Sequence, residues 1–175
     1  MSAVLSPPPS AWPPLAPAVE ARLEPMTPER LDAVLAVEQS AYSHPWSRRN
    51  FSDTLAAGHH APCLVGPLPG GREALLGYLV AMLGYREVHL LNITVAPAHQ
   101  RQGWGGLLLD ALALWSRAQG AEWLWLEVRA SNTRAQQVYL QRGFARVGLR
   151  KGYYPAGHGQ REDAVVMNLR LGDAS

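Results

Sequence analysis

At 175 residues, 47% of them hydrophobic, the chain has the size of one domain with a substantial core. Its 16 basic and 14 acidic side chains leave a formal charge of +2 without any long basic run, so the electrostatic footprint of a nucleic-acid-binding protein is absent. A lone cysteine, Cys63, allows no intramolecular disulfide, no apolar stretch approaches the roughly 20 residues of a membrane helix, and no secretory signal pattern opens the chain; a reduced, cytoplasmic protein is expected.

Six of the 14 prolines fall between Pro7 and Pro17, which predicts an extended, disordered tail over residues 1–19 and one folded domain over 20–172. A short strand over Ala21–Glu24 is expected next. Thr27 then caps a helix with Pro28 at its first position, and Leu31, Val34, Leu35 and Glu38 recur at helical spacing. Ser47 caps a second, short helix with Phe51 and Leu55 on one face. Three apolar runs follow, Cys63–Val65, Leu75–Leu83 and Val88–Val95, and read as a strand meander. After a glycine loop, Leu108, Ala111, Leu112 and Trp115 fall at i, i+3, i+4 and i+7, with Gly120 as the C-terminal stop. Trp123–Val128 is a strand. Ser131 or Asn132 caps a last helix carrying Ala135, Val138 and Tyr139 and ending at Gly143, and strands over Phe144–Leu149 and Ala164–Leu171 complete the chain. This order predicts a mixed α/β (α+β) domain with a strand–loop–helix–strand unit at its centre.

The loop Gln100-Arg101-Gln102-Gly103-Trp104-Gly105-Gly106 leads into a helix N-terminus. Glycines let the main chain approach a ligand, and the unpaired N–H groups of a first helical turn favour an anion. The spacing G-x-G-G, with no lysine after it, fits neither the dinucleotide fingerprint nor the nucleoside-triphosphate loop. Glu127 shares one strand face with Trp123 and Trp125, the kind of setting that can raise a carboxylate's pKa and make it a better base; the plain alternative is a solvated glutamate. Tyr139, four residues after Ala135, reads equally as an aromatic at the core's edge. Asn132 is fully explained as a helix cap. His59, His60 and Cys63 lack a second ligand cluster, so no metal site is predicted.

The motif [Q/R]-x-x-G-x-[G/A] over Gln100 or Arg101, Gly103 and Gly105 resembles the coenzyme A pyrophosphate loop of the GNAT family of N-acetyltransferases. Leu124-Trp125-Leu126-Glu127-Val128-Arg129-Ala130-Ser131-Asn132, Val138-Tyr139, Gly143-Phe144, Tyr153-Tyr154-Pro155 and Arg161-Glu162-Asp163-Ala164 are similar to the ribosomal-protein-alanine acetyltransferases of that family, in the same order, from about Leu23 to Leu171. The resemblance implies a GNAT fold, with a mostly antiparallel sheet of six to seven strands and about four helices. It implies acetyl-CoA as cosubstrate, no metal, and acetylation of the N-terminal alanine of small-subunit ribosomal protein eighteen. A protein N-terminus is then the partner, and neither nucleic acid nor membrane is bound. Glu127 matches the general base and Tyr139 the general acid. Ile93, Thr94, Val95, Arg101, Gln102, Gly103, Trp104, Gly105, Gly106 and Asn132 match coenzyme-binding positions, whereas Trp46, Tyr153 and Tyr154 are substrate-side candidates. Gly106 departs from the pattern: many relatives carry a polar or basic side chain there, so a phosphate contact is expected to be lost and the helix start loosened. The rival readings are an acetyltransferase for a small-molecule amine and a silent acyl-CoA-binding regulatory protein.

Overall fold

A computed structural model describes residues 20–172; the expected tail over 1–19 lies outside the described residues. Seven strands form one sheet: β1 (Arg22–Pro25), β2 (Pro62–Pro67), β3 (Glu73–Leu83), β4 (Glu87–Val95), β5 (Trp123–Arg129), β6 (Ala145–Pro155) and β7 (Arg161–Arg170). Four helices accompany them: α1 (Leu31–Ala41), α2 (Arg48–Ala56), α3 (Trp104–Ala118) and α4 (Thr133–Gln141). The strand order is β1-β2-β3-β4-β5-β7-β6, antiparallel throughout except for β4 and β5.

Local signals account for most helix ends. Ser47 closes a capping box with Asn50 before α2, and the Asn132 side chain, not that of Ser131, accepts the N–H of Ala135 before α4. Pro28 begins a 3-10 turn rather than the helix itself, which starts at Leu31; Thr27 makes no side-chain cap. Alternation in β5 holds as expected: Leu124, Leu126 and Val128 are buried while their neighbours are half-buried. Those three residues join a core made with α3 and α4, and a second core forms where Leu31, Val34 and Phe51 of α1 and α2 meet Tyr78 and Val80.

The feature that builds the site is a splay. β4 and β5 pair from Glu87↔Trp123 only as far as Leu90↔Leu126, after which both strands run on without each other. At that point β4 carries a bulge, because Val80 faces Asn92 whereas Ala81 faces Leu90, leaving Leu91 as the extra residue. A bulge increases local twist and bends the strand, so the ends of β4 and β5 diverge and leave an opening through the middle of the sheet.

The last two strands are longer than the expected Phe144–Leu149 and Ala164–Leu171. β6 runs to Pro155 and β7 starts at Arg161, so Tyr153-Tyr154-Pro155 is strand. A second bulge hid this: Arg150 faces Ala164 and Tyr154 faces Glu162, so three residues of β6 oppose Asp163 alone. Gly152 takes φ 57° there, and its N–H donates to Asp163 Oδ1 at 2.8 Å. The extra residues break the period-two alternation on which the sequence reading depends.

Candidate active site

Two cavities meet at the splay. One, of about 510 Å³, lies between β4, the glycine loop and α4; the other, of about 270 Å³, lies between α1, β4, β5 and the end of β6. Tyr42, Ile93, Asn132 and Tyr139 line both.

The larger cavity collects most of the expected coenzyme residues. Ile93, Thr94, Val95, Arg101, Gly103, Trp104, Gly105, Gly106 and Asn132 all line it. Gln102 does not: its side chain accepts the indole N–H of Trp104 at 3.0 Å. Arg101 at φ 63° and Gly103 at φ 88° turn the loop sharply into α3, so successive N–H groups precede the helix N-terminus. Arg101, Arg134 and Arg142 line this cavity, and no carboxylate does.

Gly106 is buried rather than open. The Arg142 guanidinium from the end of α4 lies on it, and a Cβ there would overlap Arg142 Nη2. Arg142 Nε donates to Gly106 O at 3.2 Å and to Asp110 Oδ1 at 3.1 Å. The expected loosening of the helix start is therefore offset by a side chain from another helix, 36 residues further along the chain.

The smaller cavity carries two carboxylates, Glu38 and Glu127. The Glu127 side chain is 7% exposed. Trp123 and Trp125 share its strand face, but the groups that contact its carboxylate are His89 and Arg150: His89 Nε2 lies 2.5 Å from Oε2, and Arg150 Nη2 lies 3.2 Å from Oε1. Both partners come from other strands, β4 and β6, and so were invisible in the alternation of β5. Tyr139 stands at the junction, and burial raises its phenol above the usual range.

Glu38, which sequence reading treated as one more residue on a helical face, organises the rim. It is 1% exposed and accepts from Trp46 N at 2.8 Å, from the Tyr78 hydroxyl, and from Asn92 Nδ2 at 3.2 Å. Thr94 Oγ1 donates to Asn92 Oδ1 at 2.9 Å, and Tyr42 OH donates to Ile93 O at 2.9 Å. This network ties the segment after α1 to the free end of β4. Trp46 lines the cavity and also packs on Phe51 with centroids 5.3 Å apart. Glu38→Ala strands three donors, the Tyr78 hydroxyl among them fully buried, and is expected to cost about 3 kcal/mol of stability, read as a lower midpoint in urea unfolding with an unchanged slope.

The two tyrosines of β6 part company. Tyr154 lines the cavity and donates to Glu127 O at 3.1 Å, under the guanidinium of Arg129; burial is the main cause pushing its phenol up to about 12. Tyr153 is 42% exposed and packs edge-on against Tyr154 outside the cavity lining. Glu162 accepts from Arg129 at 3.1 Å and from Ser131 N at 2.7 Å, fastening the start of β7 to the end of β5. His60 stacks on Trp115 at 3.9 Å, Cys63 is fully buried, and among the described residues no three His, Cys, Asp or Glu side chains gather as a metal site. Nor is any helix among the described residues long and apolar enough to cross a membrane.

Residues 31–144 match the model of the Acetyltransferase (GNAT) family. The chain is 34% identical to the [ribosomal protein bS18]-alanine N-acetyltransferase of Haemophilus ducreyi, over 85% of its own length and 99% of the relative's. It is 37% identical to the protein of that name from Escherichia coli K12, over 81% and 91%. The crystal structure of the ribosomal-protein-S18-alanine N-acetyltransferase from Escherichia coli superposes with a TM-score of 0.78 at 33% identity, covering 89% of this chain and 96% of that one.

Proposed function

The chain belongs to the acetyltransferase (GNAT) family, and from that premise we propose that it transfers the acetyl group of acetyl-CoA to the N-terminal alanine of ribosomal protein bS18, in the cytoplasm. The observation that carries this reading is the meeting of two cavities of opposite character. Three arginines and the loop N–H groups of the larger, with no carboxylate beside them, suit the phosphates of the coenzyme, whereas the smaller is lined by Glu38 and Glu127 and by one arginine, Arg129, that is paired with Glu162, and suits an amine.

The chemistry follows from the pKa values of the reacting groups. An α-amine of reference pKa about 8 must lose a proton before it can attack the thioester carbon. Glu127, at the β5 side of the splay, is the base in this reading, directly or through water. The attack forms the new C–N bond, and collapse breaks the C–S bond and releases the coenzyme thiolate. Tyr139, protonated at every working pH because burial raises it, donates to the departing sulfur. The free edge of β4 at Ile93, Thr94 and Val95 lies along the path between the cavities, where main-chain N–H groups can hold the thioester carbonyl and the charge it develops. Asn132 both caps α4 and lines the junction.

A peptide substrate, rather than a small amine, is supported by the β6–β7 arm. Tyr154 and Pro155 form a wall of the amine cavity, and the arm is held there by the Arg129–Glu162 pair and by the Arg129 N–H donated to Pro155 O. The test is intact-mass spectrometry of ribosomal proteins from a strain lacking this chain. bS18 is expected to be lighter by one acetyl group and to regain it when the gene is restored. An unchanged bS18 would remove the substrate from the reading and leave the fold standing.

A further inference from the structure

We propose that Arg142 is a coenzyme-binding residue: it reaches from the end of α4 into the space that Gly106 leaves over the first turn of α3 and pairs with the diphosphate of acetyl-CoA. The inference rests on the reading of the larger cavity as the coenzyme site.

Three observations carry it. The guanidinium occupies the position a side chain at residue 106 would need, so Gly106 and Arg142 share one space and only one of them can fill it. Arg142 is oriented by Nε alone, which donates to Gly106 O and to Asp110 Oδ1, and among the described residues neither terminal amino group meets a protein acceptor. Arg142 also lines the cavity together with Arg101, Gly103 and Gly105, where no carboxylate competes from the lining. Asp110, the one acid that touches it, is 70% exposed and holds the Nε side. A guanidinium fixed at Nε presents its remaining N–H groups as a fork, the geometry that matches phosphate oxygens two at a time. The N–H groups of the α3 N-terminus and the Arg142 fork thus converge on one region of the cavity. The loop's missing side chain is in this way supplied by a residue far off in sequence.

Calorimetric binding to the full-length protein tests this without reference to turnover. R142L is expected to weaken coenzyme A binding about tenfold or more, the scale of charge-assisted hydrogen bonds to a phosphate, and to weaken dephospho-coenzyme A, which lacks the 3′-phosphate, equally. Pantetheine, which has no diphosphate, is expected to bind R142L and the parent protein alike. The double variant R142L/G106R, which returns a cation to the same space from the other side, is expected to recover most of the lost affinity. Unchanged coenzyme A affinity in R142L would overturn the proposal, as would a loss shared with pantetheine, a loss confined to coenzymes bearing the 3′-phosphate, or no recovery in the double variant. Failure of the parent protein itself to bind coenzyme A would instead overturn the coenzyme reading of the cavity.

Discussion

Glu127→Gln is expected to retain coenzyme affinity and to lower kcat roughly 100-fold or more, the usual scale for loss of a general base. The substitution keeps the shape of the side chain and one oxygen acceptor, so the contacts with His89 and Arg150 change in charge but little in geometry. What is lost is the capacity to take a proton. Steady-state kinetics with an alanine-starting peptide, alongside calorimetric coenzyme binding, separate the two effects. Full turnover in this variant would take Glu127 out of the mechanism, whereas a parent protein that binds coenzyme without turnover would favour the silent-binder reading. The high burial of the carboxylate makes the expected loss large, because bulk water has little access to replace it as proton acceptor.

Gly103→Val is expected to raise the dissociation constant for acetyl-CoA by at least a hundredfold. Gly103 sits at φ 88°, in the left-handed region where a β-branched residue is strained. A Cβ there meets no protein atom within 4 Å, so the folded protein has room for the side chain. That room lies beside the cavity proposed for the coenzyme, where the valine would stand against the phosphates and the strained backbone would turn its N–H groups away. Loss of binding is therefore expected to exceed loss of thermal stability. Unchanged affinity by calorimetry would show that this loop is not the anion cradle.

How much of this was legible beforehand depends on the range of the interaction involved. The caps at Ser47 and Asn132, the glycine stops after α3 and α4, and the burial alternation of β5 all depend on residues within a few positions of one another, and the sequence reading placed them. The loop residues that line one cavity, and Glu127 and Tyr139 that line the other, were named as candidates from local motifs, through the family they resemble. The full lengths of β6 and β7 escaped because the bulge at Lys151–Tyr153 disrupts their period. Glu38 was assigned a helical face, yet its burial and its three donors come from elements up to 54 residues away.

By itself, then, the amino-acid sequence determined the family, through the motifs that resemble it, and the order of elements and the anion-binding pattern of the glycine loop, which follow from spacing and from backbone preferences within short windows. Only the tertiary structure decided what touches the candidate side chains. The bulge at Leu91 parts β4 from β5, His89 and Arg150 flank the Glu127 carboxylate, and Arg142 fills the space over Gly106. Each of these contacts joins separate elements, and cross-sheet register and helix packing are set by burial of the whole core rather than by any local pattern.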